Sequence, residues 1–456
     1  MSLPSNDNAT QLTYSNKLKY LNMLKHEIKK KRIMFDESKE FFGYDVMTQL
    51  IKVKNTSEIK GYPFLIHNNK YRFGLKVIPV ENKYEKHDHP SHLEFIILRH
   101  LTEHIVNKQI SPHFVHFLGQ FKISNKNKAI KHLNLKRLEV ENMIRTHSNV
   151  VLSEFVEGKS LDNWIHDTYE NDNKITDMQW KIIVFQLIYT IYIMQVYFKL
   201  MHNDFHYGNI LIDNTIKPGG YLVYNINNQT YYIPNTGIMP KIFDFEYAMI
   251  YSNKIEDAYP NKFIVGHCIY NKSTHISVPD NSLSTDDEDD KNVPCNYNEI
   301  YDLHYFLTSL LDLFISEELF NWILNIYPEC VIPPDESSDS SSISSNDSSN
   351  SSSDSSSSDS SSTDSTDSTD NSSNYRSGRS HSSRSSSSSS RSSRSSSSSS
   401  SDDIVYITDG RLINDIHTNL NLPKPLELIQ SGFFKEFLKK PSDFDESTAV
   451  YFTCTK

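Results

Sequence analysis

The sequence predicts an α+β chain of two lobes, a β-rich one followed by an α-rich one, with a low-complexity insertion near the C-terminal end. Three observations predict it. Between Val46 and Val80 short apolar runs (TQLIKV, YPFLIH, YRFGLKVIPV) alternate with turn residues, the pattern of small antiparallel strands. After Glu157 and Gly158 the pattern changes to long helical periods, of which Thr176 to Phe198 is apolar nearly all round and so suits the centre of a lobe. From about Glu336 to Asp403 the chain is nearly all Ser, with Asp in the first half and Arg in the second. Such a composition cannot bury apolar surface and is expected to be disordered.

In order, residues 1–45 read as an N-terminal extension with a polar helix from Tyr20 to Met34, to which no function attaches. Residues 46–156 form the first lobe: hairpin strands with a turn at His67 to Lys70, a helix capped by Ser91, and strands at Phe114 to Phe121 and Val150 to Phe155 around a Lys/Asn-rich insert at about Ser124 to Asn149. Residues 157–335 form the second lobe, with helices at Ser160 to Tyr169 and Thr176 to Phe198. Short strands follow at Ile210 to Ile212, Tyr221 to Tyr224, Tyr231 to Ile233 and Ile242 to Phe245, then an acidic loop at Thr285 to Asp290 and a helix from about Asn298 to Phe314. Residues 336–403 are the disordered insertion. Residues 404–456 resume with helix-period apolar positions and aromatic anchors in LPKPLELIQSGFFKEFLKK, expected to pack back on the second lobe.

Composition narrows the function. The 456 residues carry 46 Lys and Arg against 57 Asp and Glu, a formal charge of −11, which argues against nucleic-acid binding by the whole chain. With the Ser tract removed, about 390 residues remain, enough for a two-lobed enzyme and too many for a small binding module. Cys268, Cys295, Cys330 and Cys454 lie far apart with no paired spacing, as in a reducing compartment. The N-terminus lacks the apolar core of a signal peptide, so a cytoplasmic location is expected. Trp180 to Phe198 approaches membrane-spanning length, but Lys181, Gln186, Thr190 and Gln195 interrupt it, and a buried core helix with no membrane partner is the better reading. No oligomeric state can be assigned.

Polar chemistry concentrates in MHNDFHYGNILID, Met201 to Asp213, which sets His202, Asp204, His206 and Asn209 in a short loop between an apolar helix and a strand. Singly, a loop Asp or Asn is most often a turn former. Together they offer more: Asp204 can take a proton from an alcohol, and Asn209 presents a neutral oxygen suited to a hard cation such as Mg²⁺. Asp244, at the end of another apolar strand, can share that metal. Phosphoryl transfer asks for little else than such a base, two metal ligands and a phosphate-binding Lys.

This segment resembles the catalytic loop of the protein-kinase-like superfamily, H-x-D-x-x-x-x-N, followed by a D-F-x metal motif. The resemblance implies a bilobal fold using ATP and Mg²⁺, with Asp204 as catalytic base, Asn209 and Asp244 on the metal, and His206 near the γ-phosphate. Upstream, FGLKVIPV resembles the strand bearing the nucleotide lysine, making Lys76 the partner of the α- and β-phosphates and Glu94, in HLEFIILRHL, its helix glutamate. VVLSEFVEGKSLDNWI resembles the hinge, with Ser153 in the gatekeeper position and the backbone of Glu154 and Val156 facing adenine. Asp302 resembles the buried aspartate that braces the catalytic loop. The likeness runs from about Gln49 to Asn325, and the Asn/Ile/Lys/Tyr-rich composition resembles serine/threonine kinases of amoebal giant viruses, which would place the chain in host cytoplasm or virion.

Departures are specific. NTSEIKGYPFL keeps only Gly61 of the three glycines that usually approach the phosphates, Asn203 replaces the arginine of H-R-D, and Glu246 replaces the glycine of D-F-G. A segment of about Asn214 to Pro240 separates Asn209 from Asp244 at more than the family spacing. The first reading is a serine/threonine protein kinase acting on protein hydroxyls, its own Ser tract among the candidates. H-N-D and D-F-E-Y-A also resemble choline and ethanolamine kinases, and the eroded glycine loop with Glu246 leaves a pseudokinase scaffold as a third reading, ranked below the enzymes because all catalytic positions are filled.

Overall fold

A computed structural model of the chain describes residues 11–30, 50–52, 62–67, 72–80, 90–123, 147–171, 173–251, 268–271, 276–279, 297–327, 407–408, 411–412 and 422–455. They belong to one compact unit, Met1–Val331 with Asp403–Lys456. The Ser-rich tract, Gly61, the insert at 124–146 and the acidic loop at 285–290 lie outside the described residues. The architecture is mixed helix and strand.

Helix α1 (Tyr14–Lys30) precedes a five-stranded antiparallel sheet of β1 (Leu50–Lys52), β2 (Tyr62–His67), β3 (Arg72–Val80), β4 (Phe117–Ile123) and β5 (His147–Ser153), in the order β1-β2-β3-β5-β4. The helix thus starts before the expected Tyr20. Its buried stripe of Tyr14, Lys17, Leu21, Leu24 and Ile28 is read along one face against β4. Between β3 and β4 runs α2 (Pro90–Leu101), continued by a π-helical turn at Thr102–Val106. Ser91 is therefore inside the helix rather than its cap, because proline at the first helical position is pre-set for helical φ and needs no donor. Strand β4 begins at Phe117, later than the sequence pattern suggests; Phe114 forms only an isolated bridge to Ile242.

The second half is led by α3 (Leu161–Glu170) and α4 (Asp177–Phe198). Thr176 caps α4 reciprocally: its hydroxyl accepts the Gln179 N–H, and the Gln179 side chain accepts the Thr176 N–H at 2.9 Å. This is the one described helix long and apolar enough to cross a membrane, and 83% of its apolar window is buried inside the protein. Lys199, with φ 46°, ends it in the left-handed region. Beyond it lie β6 (Leu200–Met201), β7 (Ile210–Asp213), the hairpin β8 (Tyr221–Ile226) and β9 (Gln229–Pro234), β10 (Met239–Ile242) and β11 (Met249–Ile250). Two short antiparallel pairs, β12 (Cys268–Asn271) with β13 (Ile276–Pro279) and β14 (Ile407–Thr408) with β15 (Arg411–Leu412), flank α5 (Tyr301–Ser309) and α6 (Glu317–Ile326) in the sequence. The expected helix from Asn298 to Phe314 is shorter, closing in a 3₁₀ turn at Leu310–Asp312.

Near the C-terminal end come α7 (Pro425–Ile429), a 3₁₀ segment at Gly432–Leu438 and β16 (Val450–Thr453), which pairs in parallel with β8. The aromatic anchors act here. Phe185, at the middle of α4, meets Phe434 and Phe437 edge-on at 5.4 and 5.6 Å and Tyr231 at 5.1 Å. Each large apolar side chain buried this way is worth about 1.5–3 kcal/mol, so the C-terminal segment is packed onto α4.

Candidate active site

Two antiparallel pairings bring the polar residues together. Strand β6 pairs with β11, and β7 with β10, in the register Ile210↔Ile242. Asn209, just before β7, therefore lies beside the residues just after β10, and the Phe243 N–H bonds the Asn209 carbonyl at 3.3 Å. Asp244 follows with φ 64°, a left-handed turn that Asp tolerates better than most side chains and that turns the chain out of the strand. Asn203 has the same geometry, φ 63°, in the loop before Asp204.

The loop from His202 to Asn209 is held from below. Asp302, buried in the first turn of α5, accepts the N–H groups of His202 and Asn203 at 2.7 and 2.9 Å. Burial pushes its carboxyl up to about 7 against the pull of those two donors. The His202 ring bonds the Phe243 carbonyl at 3.0 Å, and the Asn203 amide donates to the Tyr247 carbonyl at 2.9 Å. The loop from His202 to Asn209 and the segment around Asp244 are thus tied twice.

Asp204 is partly open, its side chain 18% exposed. The Asn209 amide donates to its carboxylate at 2.7 Å and to its main-chain carbonyl at 2.9 Å. With both acceptors being oxygens, the amide nitrogen must face Asp204, which leaves the Asn209 Oδ1 as the atom to offer a cation. His206 Nδ1 accepts the Gly208 N–H at 3.2 Å, so its proton is on Nε2, 3.7 Å from Asp204.

Lys76, on β3, reaches across from the sheet to close the cluster. Its ammonium lies 3.3 Å from both oxygens of Glu94 on α2 and 3.0 Å from Asp244. Burial disfavours this charge, yet Asp244, Glu94 and Glu246 outweigh it and hold the lysine pKa above its ordinary value. Burial likewise opposes the charge on Asp244, but the lysine holds its carboxyl below the ordinary range. A partly buried ammonium and hard oxygen donors from Asn209 and Asp244 form a set that can bind an anion with a divalent cation.

The segment after β5 is held against the chain just before β4. The Glu154 N–H bonds the His116 carbonyl at 2.7 Å, which leaves the Glu154 carbonyl, not its N–H, for a ligand. Gly74 shares a face of β3 with Lys76, and a Cβ built on Gly74 would stand 3.5 Å from that carbonyl and 3.2 Å from Ser153 Oγ. A side chain on residue 74 would therefore press against the Ser153 hydroxyl and the Glu154 carbonyl. Val156, two residues on, is buried.

Some contributors were not legible as functional. The Glu154 side chain is buried between Lys17 at 2.9 Å and Lys241 at 3.0 Å. The available signal was a lysine inside an apolar pattern: Lys17 on the apolar stripe of α1, Lys241 in the apolar run of β10. Burial raises the Glu154 carboxyl, but the two ammonium groups reverse this and hold it well below the ordinary range. Its ion pairs then contribute stability that is complete above the ordinary carboxylate pKa and is lost as pH falls below it. Between about pH 5 and about pH 2.5 the melting temperature of the wild-type chain is expected to fall further than that of Glu154→Gln; parallel falls across that window would show that Glu154 does not carry this proton linkage.

No family model matches the chain. It is 25% identical, over 268 residues, to a protein of Acanthamoeba polyphaga mimivirus named "Putative serine/threonine-protein kinase". A second relative, from Dictyostelium discoideum and named "Probable serine/threonine-protein kinase", is 33% identical over 85 residues. These matches cover 53% and 18% of this chain, 51% of the mimivirus protein and 7% of the Dictyostelium one. The chain therefore spans about half the length of its mimivirus relative. It resembles protein kinases, and among them a kinase-named protein of an amoebal giant virus.

Proposed function

We propose that the chain is an ATP-dependent protein kinase of bilobal fold, transferring the γ-phosphate to serine or threonine hydroxyls of a protein. The observation that carries this reading is the single ammonium of Lys76 set between Glu94, 18 residues away, and Asp244, 168 residues away. Beside it stands the bonded pair Asp204–Asn209. In this reading Lys76 binds the α- and β-phosphates, Asn209 Oδ1 and the Asp244 carboxylate hold Mg²⁺, and the Glu154 carbonyl and Val156 N–H face adenine over Gly74. Bound Mg²⁺ supplies charge neutralisation of the phosphates. Asp204 accepts the proton from the attacking hydroxyl, and His206 donates through Nε2 toward the transferred group. Gly61 is assigned to the phosphate-covering loop on resemblance alone.

The test is incubation of purified chain with labelled ATP and Mg²⁺, with protein acceptors, choline and ethanolamine offered side by side. Label in protein that depends on Asp204 supports the proposal. Label in the small alcohol alone replaces it with a metabolite kinase, and no label anywhere, with nucleotide bound, replaces it with a scaffold.

A further inference from the structure

Lys17 is the one charged residue on the buried stripe of α1 and is 9% exposed. Burial works against its ammonium, but Glu154 and Asp213 outweigh that cost and keep it charged. Its partners come from two places. Asp213 ends β7, with Thr215 Oγ1 just beyond at 3.0 Å; Glu154 Oε1, at 2.9 Å, belongs to the segment that follows the sheet.

Helix α1 is anchored on both sides of this point. Before it, the Leu12 N–H bonds the Thr215 carbonyl and the Lys217 N–H bonds the Leu12 carbonyl, each at 2.9 Å. Farther along, the Tyr20 hydroxyl accepts the Arg72 N–H at 3.2 Å, and Lys25 pairs with Glu103 at 3.2 Å above the Phe117 ring. The helix therefore runs from the segment after β7 to the sheet and grips Glu154 between them. The other Glu154 oxygen is taken by Lys241 at 3.0 Å and the His116 N–H at 3.2 Å.

We infer that Lys17 is a positioning residue for nucleotide: by fixing the Glu154 carboxylate it fixes the Glu154 carbonyl toward the Gly74 face, where adenine is recognised. This rests on the kinase reading above. Without Lys17 the carboxylate loses one of its two cationic grips, the 153–156 backbone populates orientations that do not match the adenine edge, and affinity drops by the competent fraction. The transfer step, carried by Asp204, Asn209 and Asp244, is untouched.

The experiment compares the wild-type chain, Lys17→Arg, and the double variant Lys17→Met with Asp213→Asn, which removes one buried charge of each sign and leaves the Glu154–Lys241 pair. Three quantities are read: affinity for ADP with Mg²⁺ by calorimetry, hydrogen exchange at the Glu154 amide without nucleotide, and KM for ATP against kcat. The double variant is expected to bind ADP roughly tenfold more weakly and to raise KM by a similar factor with kcat within about twofold, while the Glu154 amide exchanges roughly tenfold faster. Lys17→Arg is expected to restore the wild-type values. If the double variant melts below the assay temperature, Lys17→Gln carries the same readout. Unchanged ADP affinity in a double variant with a lowered melting temperature makes Lys17 a structural brace only and overturns the inference. So does an unchanged amide. A wild-type chain that binds no ADP overturns the kinase reading and this inference with it; wild-type binding with an unaffected variant overturns this inference alone.

Discussion

Replacing Asp204 by alanine is expected to lower kcat by about 10²–10⁴-fold, the usual worth of a positioned general base, while ADP affinity changes by no more than about threefold. The separation follows from the geometry. Asn209 holds on to Asp204 by two bonds, one to the carboxylate and one to the main-chain carbonyl at 2.9 Å. Alanine removes the first and keeps the second, so the Oδ1 atom of Asn209, which the proposed function assigns to Mg²⁺, is expected to stay in place. Asparagine at position 204 is the poorer variant, since its amide can turn a second N–H group toward that of Asn209. Steady-state kinetics and calorimetry on the same preparation check the result. A kcat within tenfold of wild type would remove Asp204 from the chemistry, and a matching collapse of ADP affinity would make it a binding residue.

Gly158→Ala is expected to destabilise the chain by about 3 kcal/mol or more, at the upper end of overpacking substitutions. Gly158 is at the surface, where a methyl group normally costs little. Yet its ideal Cβ would lie 1.5 Å from the Ile212 carbonyl oxygen and 2.6 Å from its carbon. Both are backbone atoms, and they cannot rotate aside. Ile212 is also tied to this segment by its N–H bond to the Lys159 carbonyl at 2.8 Å, so β7 must move as a strand. Because β7 begins beside Asn209 and pairs with the strand leading to Asp244, activity should fall along with stability. Urea unfolding of the variant decides: a loss under about 1 kcal/mol would mean that the two segments do not approach so closely.

What was legible in the sequence is what is local. Thr176 and Gln179 announce the start of α4 at three-residue spacing, and the run from Trp180 to Phe198 announces its burial. The polar loop from His202 to Asn209 stands out for the same reason: its residues lie within a few positions of one another. Lys76 and Glu94 could be paired only through the resemblance, since nothing in either neighbourhood names the other. For Lys17 the only signal was its place on an apolar stripe; its partners could not be read, because they lie 137 and 196 residues away (154 − 17 and 213 − 17) and a helix lysine is ordinarily solvated. Boundaries failed where geometry outranks composition: at Pro90, whose ring starts a helix that Ser91 was expected to cap, and at Leu310, where an α-helical period tightens into a 3₁₀ turn.

The pairing of β16 with β8 has a consequence for synthesis on the ribosome. Phe452 lies 5.1 Å from Tyr224 and 5.4 Å from Tyr14, so one residue late in the chain packs against both the hairpin after the polar loop and the helix at the start. Neither contact can form until the intervening Ser-rich stretch has been translated and the last strand has left the exit tunnel. Until then β8 keeps one edge unpaired and Tyr14 lacks its aromatic neighbour, with Lys17 only three residues along the same helix face. A nascent chain carrying every residue of the candidate site therefore still waits for Val450–Thr453, and the long Ser tract lengthens that wait.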